Sequence, residues 1–510
     1  MSRATPRAVV VGGGQNGLSA ACTLAGKGWD VTVLERAGEL GGAVKTRELT
    51  LPGFHHDVYS AVYPAAAASP VFRRWPLERH GLRFVHPIVA AAHPLDDGSA
   101  PALHRSLADT RASLDGFGDG DGRRWAEAMG PLVARFDALR GVMLGGFPPI
   151  AGGAKLLARL KLSGTLEFAR LLLMPASGLA DDLFESDAAR AWLYGSALHG
   201  DAGPHSAGSA IAGAYLNLMG HAVGWPSPEG GAARLVDALV SYLRELGGTT
   251  RCDAPVERVV AQGGRAVGVE LADGERIAAD AVVCDLNPHG LARVAGDILP
   301  QATLRKYRRF RYGPGTLKVD WALDGPIPWA APEARQAGTI HVGGSAAEIA
   351  RAVAEVELGE WPERPFLLAG SQTVADPTRA PAGKHTAWAY THTPGYGSAG
   401  QVEEQVARLE AQMERFAPGF SSRVLGRHVQ SPRDIEAGTP NLVAGDVGAG
   451  SHALDQVVFR PVPSLSPYRT GVRGLYLGSA SAFPGGAVHG VAGHAAARAA
   501  ITDRRVRRVG

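Results

Sequence analysis

The sequence predicts an α/β protein, and three of its features carry that prediction. Residues 8–36 read as a strand, a glycine-rich turn, a helix and a second strand, which together form one βαβ unit. An amphipathic helix is predicted over 235–246, and three strands follow it at 256–261, 266–271 and 276–284. From about 118 to 220, apolar residues recur at three- and four-residue spacing, which predicts a block of helices.

The rest of the chain continues the mixture of strands and helices. Strands are predicted at 315–323, 385–392 and 475–478, and helices at 401–416 and 488–501. The first helix is predicted over 18–27, and its small side chains allow close packing on a sheet.

Composition excludes several classes of function. The chain has 510 residues, which suggests two or three domains, and 45% of them are hydrophobic. A net charge of +3 does not indicate a positively charged surface that would bind nucleic acid. Cys22, Cys252 and Cys284 form no C-x-x-C pair, so we expect no disulfide scaffold, metal site or dithiol centre. No signal segment and no apolar run of about 18 residues is found, so we expect a cytoplasmic protein.

The strongest local signal is a G-x-G-x-x-G motif between the first strand and the first helix. Gly12 allows the tight turn, Gly14 lets a pyrophosphate approach the backbone, and Gly17 lets helix and strand pack closely. Glu35 ends the second strand, where an acid accepts hydrogen bonds from ribose hydroxyls. The acid favours FAD or NAD over NADP. The predicted dinucleotide contacts also include Gln15, Asn16 and Arg36.

Two distant segments distinguish FAD from NAD. Residues 38–46 contain the doublet Gly41-Gly42, and this segment resembles the doublet-glycine segment of two-dinucleotide-domain flavoproteins. Residues 474–493 resemble the flavin-closing motif of phytoene-desaturase-like proteins, in the carotenoid desaturase and amine oxidase superfamily. A glycine-rich turn that opens a helix favours negative charge on the N1/O2 edge of a flavin. The resemblance therefore implies FAD, held further by Gly41, Gly42, Ala43, Lys45, Val256, Gly478, Ser479, Gly485, Gly486, Ala487 and Val488.

The sequence departs from this family pattern at a few positions. Ala43 stands where many relatives have Arg, so neutralisation of the phosphates falls to Lys45 or to the helix dipole. Phe483 and Ala487 stand where relatives often have His and a third Gly. No second G-x-G-x-x-G follows a strand, so we expect no NADPH domain. Oxygen, a quinone or another carrier is then the expected electron acceptor.

The resemblance implies a glutathione-reductase-type, Rossmann-like FAD domain with an interleaved substrate domain. The FAD domain is predicted to combine residues 1–70, 225–300 and 465–510. The substrate domain would combine residues 71–224 and 301–464, with a mixed sheet and a helical cap at about 105–222.

Catalytic candidates are side chains that can move a proton near neutral pH or lie in segments that approach the flavin in relatives. His489 belongs to the flavin-closing motif itself. The other candidates are Asp201, His205, His221 and His56. For each of them, a polar residue that only supports a tight turn is the alternative.

The predicted reaction is dehydrogenation of a C–C or C–N bond of a hydrophobic or secondary-metabolite substrate, by hydride transfer to flavin N5. The alternatives are a redox-neutral flavin isomerase, an amine oxidase, and a binding protein that has lost the flavin. The stretch 155–174 mixes Lys155, Arg159, Lys161 and Arg170 with many leucines, which is compatible with a peripheral membrane contact. Its expected interruption at Ser163-Gly164 favours a cap helix instead.

Overall fold

The fold was obtained as a computed structural model, which describes residues 5–506, apart from the side chains of 150–152 and 155–163. Its strands are β1 (Arg7–Val11), β2 (Asp30–Leu34), β3 (Thr46–Glu48), β4 (His55–Asp57), β5 (Phe84–Val85), β6 (Val89–Ala92), β7 (Ala102–Leu103), β8 (Ser227–Pro228), β9 (Thr249–Arg251), β10 (Val256–Gln262), β11 (Arg265–Leu271), β12 (Arg276–Ala278), β13 (Ala281–Cys284), β14 (Gly315–Leu323), β15 (Ala337–Val342), β16 (Leu367–Gly370), β17 (His385–Thr393), β18 (Val424–Gln430) and β19 (Leu475–Leu477).

Its helices are α1 (Gln15–Ala25), α2 (Pro64–Ala68), α3 (Leu107–Asp115), α4 (Asp121–Ala134), α5 (Phe136–Met143), α6 (Ile150–Leu173), α7 (Ala176–Leu183), α8 (Asp187–Ala197), α9 (Ser209–Val223), α10 (Ala233–Glu245), α11 (Pro288–Ala295), α12 (Gln301–Tyr307), α13 (Ala346–Glu357), α14 (Ala399–Phe416), α15 (Pro432–Gly438), α16 (Leu454–Val457) and α17 (Val491–Val506). The α/β class predicted from the sequence is confirmed.

A parallel sheet of five strands organises the part of the fold that contains the G-x-G-x-x-G turn. Its order is β19-β13-β1-β2-β9, and every neighbouring pair is parallel. Buried apolar residues of α1, α10 and α17 pack in one core with this sheet. On the opposite side, α11, α12 and the antiparallel sheet β10-β11-β12 complete a second core. Both faces of the sheet are therefore covered, as all-parallel sheets require.

The first and last helices of the chain pack against each other at very short range. A Cβ atom placed on Gly493 of α17 would lie 1.8 Å from the backbone oxygen of Asn16 in α1. The small side chains Ala20, Ala21, Ala496 and Ala497 line the same core. The two helices thus approach to a distance that larger side chains would prevent. This contact brings the last helix onto the glycine-rich turn.

A mixed sheet of seven strands, in the order β18-β14-β17-β16-β15-β6-β7, forms the centre of the other half. Side chains alternate across β14, since Val319 and Trp321 pack in the core that includes α14. Lys318 and Asp320 point to the opposite face, where they are almost fully buried. The opposite face is therefore polar at one end, although it lies inside the protein.

Helices α4, α7, α8 and α9 cover this opposite face together with α13 and share an apolar core with it. Helices α4, α7, α8 and α9 lie within about residues 105–222, the range predicted to form a helical cap. The expected interruption at Ser163-Gly164 is wrong, because α6 runs without a break through both residues. A helix of 24 residues tolerates Gly164 in its interior, because a single glycine costs only about 1 kcal/mol there. The predicted membrane-facing side chains Lys155, Arg159 and Lys161 lie outside the described side chains.

Most predicted elements lie within a few residues of their observed bounds. The first helix begins at Gln15, three residues before the prediction, because its first turn already includes the second half of the glycine motif. The five-stranded sheet takes its strands from three separated stretches of the chain. The division into two discontinuous domains remains a prediction. No helix among residues 5–506 is both long enough and apolar enough to cross a membrane.

Candidate active site

Two glycine segments form one surface of bare backbone at the carboxyl end of β1. Gly41 donates its N–H to the oxygen of Gly13 at 2.9 Å, and Gly41 also forms a bridge with Gly14. A Cβ atom on Gly42 would lie only 3.2 Å from the Cα atom of Gly14. The predicted doublet and the predicted turn are therefore adjacent, with no side chain between them. Such a cradle lets a ligand phosphate approach backbone N–H groups.

The carboxylate of Glu35 holds the same turn from the end of β2. One oxygen accepts the N–H of Gly13 at 2.7 Å, and the other accepts the N–H of Ala37 at 2.9 Å. The side chain remains partly exposed, so it can also accept hydrogen bonds from a ligand. Arg36 is exposed, and the Nζ atom of Lys45 pairs with Glu39 at 3.1 Å.

The C-terminal turn, residues 483–489, lies against the start of α1. Gln15 accepts the N–H of Gly490 at 2.6 Å, and Ser69 donates its hydroxyl to the oxygen of His489 at 2.6 Å. At the start of the segment, Gly478 donates its N–H to the oxygen of Cys284 at 2.9 Å. Ser479 then accepts the N–H of Ser481. The structure thus places the predicted flavin-closing segment beside the nucleotide turn.

The backbone of the C-terminal turn is tightly constrained. Gly485 has a φ of +115° and Ala487 a φ of +77°, a region that a residue with a Cβ atom seldom adopts. The φ of Gly486 lies outside the positive region, but a Cβ atom on this residue would lie 2.7 Å from the backbone oxygen of Gly448. Ala487 therefore occupies a position whose backbone conformation suits glycine. The strain at this alanine is of the order of 1 kcal/mol.

His489 uses both ring nitrogens within its own turn. Nδ1 accepts the N–H of Val491 at 3.1 Å, so Nε2 carries the proton and donates to the oxygen of Gly486 at 3.2 Å. Burial lowers the pKa of this histidine to about 4, which keeps it neutral at pH 7. These bonds hold the turn on α17, whose first residue is Val491.

A loop formed by residues 446–452 lies against the C-terminal turn. The guanidinium of Arg460 is fully buried and donates to the oxygens of Ala449 and Gly450 at 2.8 and 2.9 Å. A Cβ atom on Gly485 would lie 2.6 Å from one nitrogen of the same guanidinium. Arg460 therefore joins the 446–452 loop to the C-terminal turn.

A cavity of about 300 Å³ lies beside that loop, with Ser451 in its lining. It is lined by residues just after α8, by residues of α13 and β17, and by the 446–452 loop. Its lining residues are Leu198, Asp201, Tyr312, Gly313, Pro314, Ala352, Val353, Val356, Glu357, Pro362, Phe366, Thr391, His392, Pro394 and Ser451. Most of this lining is apolar, with a few polar groups, as small-molecule sites require.

Asp201 and His452 form a hydrogen-bonded pair at the edge of this cavity. Oδ1 of Asp201 accepts from Nδ1 of His452 at 2.8 Å and from the backbone N–H of His452 at 2.7 Å. Burial raises the pKa of Asp201, but the hydrogen bonds and charge of His452 outweigh it, so the net pKa lies below its usual value. In the neutral tautomer of His452 that donates its Nδ1–H to this carboxylate, the free lone pair of the ring is on Nε2.

The remaining catalytic candidates lie elsewhere. His221 lies in the core of the cap, where Trp125 donates to its Nε2 at 3.2 Å and burial lowers its pKa to about 4. His205 is exposed, with its ring against Tyr194. Val256, the predicted adenine contact, begins β10, a strand next to β11.

His56 belongs to a buried charge network that joins the β3-β4 hairpin to the seven-stranded sheet. Asp57 pairs with Arg379 at 2.9 Å, and Lys318 pairs with Asp320 while donating to the oxygen of Asp57. All four charged groups are almost fully buried. Burial and the nearby cations lower the pKa of His56 to about 3, so this histidine is neutral.

Comparisons with known proteins agree with this geometry. Residues 17–501 match the family described as flavin containing amine oxidoreductase. The chain belongs to this family. It is 30% identical to pyridine nucleotide-disulfide oxidoreductase domain-containing protein 2 of Rattus norvegicus, over 97% of this chain and 93% of that protein.

Two further matches extend this result. The chain is 27% identical to the all-trans-zeta-carotene desaturase of Myxococcus xanthus, over 94% of this chain and 89% of that protein. An oxidoreductase structure from Methanosarcina mazei has the same fold, with a TM-score of 0.61, 18% identity, and coverage of 97% of this chain and 100% of that one. The chain is a phytoene-desaturase-like member of the family and an FAD-dependent oxidoreductase.

The described residues fit FAD. The bare backbone at Gly13, Gly14, Gly41 and Gly42 leaves room for a pyrophosphate. Asn16, at the start of α1, carries a buried Oδ1 atom that has no hydrogen-bond partner and can still accept one. The 446–452 loop, His452, Arg460 and Asp285 were not predicted from the sequence. Of these, Asp285 has a recognisable signal, because it directly follows a strand that neighbours β1.

Proposed function

We propose that this oxidoreductase dehydrogenates a C–C or C–N bond of a compact hydrophobic substrate. The observation that carries the proposal is the largely apolar cavity, whose lining includes Ser451 of the same 446–452 loop that contacts the C-terminal turn through Gly448. Its volume is near the lower end of the range for small-molecule sites, so it suits a small substrate or one end of a longer one. When bound, FAD supplies the acceptor of a hydride at its N5 atom.

The nucleotide turn would hold the cofactor at one end and the C-terminal turn would hold it at the other. Gly14, Gln15 and Asn16 would face the pyrophosphate, and Glu35 would accept hydrogen bonds from the ribose. The backbone of Gly486, Ala487 and Val488 would lie against the pyrimidine edge of the flavin. The N-terminus of α17 lies just beyond this turn and favours negative charge there.

The Asp201–His452 pair would take the proton that leaves the substrate. Dehydrogenation removes a hydride from one atom and a proton from its neighbour, so a base is needed. Asp201 lines the cavity, and its carboxylate fixes the tautomer of His452 that leaves Nε2 free to accept a proton. His489 fits this task less well, because its ring nitrogens already bind Gly486 and Val491. We propose that His489 shapes the turn.

The test is anaerobic single-turnover reduction of the FAD-bound protein. A panel of hydrophobic alkenes and of primary and secondary amines is mixed with it, and the flavin absorbance and product masses are followed. A product lighter by two hydrogen atoms supports the proposal. Turnover without an added acceptor and without a mass change identifies the isomerase alternative. Release of hydrogen peroxide in air, with amines as the only active substrates, identifies an amine oxidase.

Variants of the pair test the assignment of the base. Asp201→Asn and His452→Gln should slow flavin reduction by about 10²–10⁴-fold while FAD stays bound. His489→Ala should lose FAD, and the fraction that keeps it should react normally. Glu403→Gln, on the exposed side of α14, is the control. A normal rate of flavin reduction in Asp201→Asn would show that the Asp201–His452 pair is not the base. Slow reduction in the fraction of His489→Ala that keeps FAD would instead support His489 as the base.

A further inference from the structure

A buried carboxyl group lies directly under the nucleotide turn. Asp285 follows β13, the strand that pairs with β1, and its side chain points to the turn that begins at Gly12. Its Oδ2 atom accepts the N–H of Gly17 at 2.9 Å. A Cβ atom on Gly14 would lie 2.6 Å from the same oxygen. The carboxyl group therefore touches the glycines past which the pyrophosphate of FAD must lie.

Few groups around Asp285 can stabilise a negative charge on its carboxyl group. The residue is 7% exposed, and the backbone N–H of Gly17 is the hydrogen-bond donor to its carboxyl group among the described residues. On the neighbouring elements, β1 and the start of α1 present backbone and uncharged side chains, and Glu35 at the end of β2 is an anion. Beside it in sequence, Cys284 is buried and its thiol is neutral. Asn441 donates to the backbone oxygen of Asp285 and not to its carboxyl group.

We propose that FAD binding to this protein is coupled to the protonation of Asp285. The pyrophosphate brings two further negative charges to the glycine turn, and a carboxylate in contact with that turn repels them. A neutral carboxyl group removes this repulsion and keeps its contact with Gly17. This proposal concerns the cofactor alone and does not depend on which substrate is dehydrogenated.

The expected pH dependence follows from the charge of the group before binding. Burial, and to a lesser degree the charge of Glu35, raise the pKa of Asp285 to about 7. Below that pH the carboxyl group is already neutral, so the affinity for FAD is constant. Above it, each binding event must take up a proton, so the Kd of FAD rises by up to tenfold per pH unit. Between pH 7 and 9 the affinity should fall by up to about 100-fold.

The experiment uses protein stripped of FAD and titrated with FAD between pH 5.5 and 9, with flavin fluorescence as the readout. Asp285→Asn keeps the size of the side chain and an oxygen acceptor for Gly17 but cannot ionise. It should bind FAD with a Kd that is nearly constant over this range. Asp280→Asn is the matched control, since Asp280 precedes the same strand and pairs with Arg504 at its far end. It should keep the wild-type pH profile.

Calorimetry of the wild-type protein gives a second test that needs no variant. Titrations at pH 8 in two buffers of different ionisation enthalpy measure the protons taken up, and about one proton per FAD is expected. A pH-independent Kd in the wild-type protein, or no proton uptake at pH 8, would overturn the proposal. So would an Asp285→Asn protein that keeps the wild-type slope. If Asp285→Asn binds no FAD, the calorimetric result decides.

Discussion

Gln15 and Gly490 are joined by a hydrogen bond of 2.6 Å, although 475 positions separate them in the chain. Gln15 is the first residue of α1, and Gly490 immediately precedes α17. Both groups are buried. The bond therefore fixes the C-terminal turn relative to the nucleotide turn, and the distance between the two ends of the FAD site depends on it.

Gln15→Leu should weaken both the fold and FAD binding. The substitution leaves the N–H of Gly490 buried without a partner, which costs about 1–3 kcal/mol. Urea unfolding should show this loss, and FAD should dissociate more readily from the folded variant. Gln336→Leu, on an exposed residue, should change stability by less than about 0.5 kcal/mol. Equal stability of Gln15→Leu and wild type would show that this bond does not hold the two turns together.

Glu35→Ala should weaken FAD binding without unfolding the chain. The variant loses acceptors for Gly13 and Ala37 and, as proposed, for the ribose. A hydrogen bond to a charged group contributes about 1.5–3 kcal/mol, so the Kd should rise by roughly ten- to a hundred-fold. Glu257→Ala, on an exposed strand position, should leave the Kd unchanged. An unaltered Kd in Glu35→Ala would remove this residue from the cofactor site.

From the backbone geometry of the C-terminal turn, we expect opposite effects for substitutions at the neighbouring residues Gly486 and Ala487. Gly486→Val places a side chain where the oxygen of Gly448 already lies, so the turn must move and FAD should be lost or misplaced. Ala487→Gly relieves the strain of the positive φ and should raise the free energy of unfolding by up to about 1 kcal/mol. Thermal unfolding and bound FAD per chain measure both effects. Tight FAD binding in Gly486→Val would contradict the role of this turn.

Removing one charge of the buried pair Asp57–Arg379 should strongly lower the free energy of unfolding. Asp57→Asn leaves the guanidinium of Arg379 buried without its counter-charge, a change that costs about 3–5 kcal/mol. Changing both residues, Asp57→Asn with Arg379→Met, should cost less than the sum of the single substitutions. The exposed pair Arg311–Asp455 is the control and should contribute at most about 1 kcal/mol. Additive losses in a urea double-mutant cycle would show that the two charges do not interact.

The contribution of Asp285 to the stability of the FAD-free protein should become more unfavourable as pH rises from about 4 to 7. Asp285 has a pKa of about 7 in the folded chain, against about 4 when unfolded. In this window the folded state keeps a proton on Asp285 that the unfolded state has lost, so this group lowers the free energy of unfolding as pH rises. The full effect is up to about 4 kcal/mol. Asp285→Asn should therefore gain stability relative to wild type between pH 5 and 8, and a constant difference would rule this out.

Local patterns explain why the nucleotide turn was predictable. Gly12, Gly14 and Gly17 lie in one short segment, and a strand and a helix on either side can be recognised from the same stretch of sequence. Asp285 escaped prediction because its contact with Gly17 spans 268 positions and depends on the pairing of β13 with β1. Reasoning from the strand order could have found it, since parallel strands end at one edge of the sheet.

The proposed proton-transfer pair, Asp201 and His452, could not be predicted in the same way. Asp201 was a candidate, but its partner His452 lies in a glycine-rich loop with no periodicity, 251 positions away. Seventeen histidines compete in the sequence, and burial separates them only when the fold is known. His489 illustrates the limit, because its position in the C-terminal motif was visible while the two backbone bonds of its ring were not.

The contact between Gln15 and Gly490 also has a consequence during synthesis. Ribosomes add about 5–20 residues per second, so roughly 25–95 s pass between the appearance of the first residue and that of the second. Throughout that interval, the nascent chain carries a nucleotide turn without the segment that completes its binding surface. We therefore expect the cofactor to be retained only once α17 has been made, because α17 packs on the small-residue face of α1. A chain that ends before α17 should therefore expose apolar surface and depend on chaperones to remain in solution.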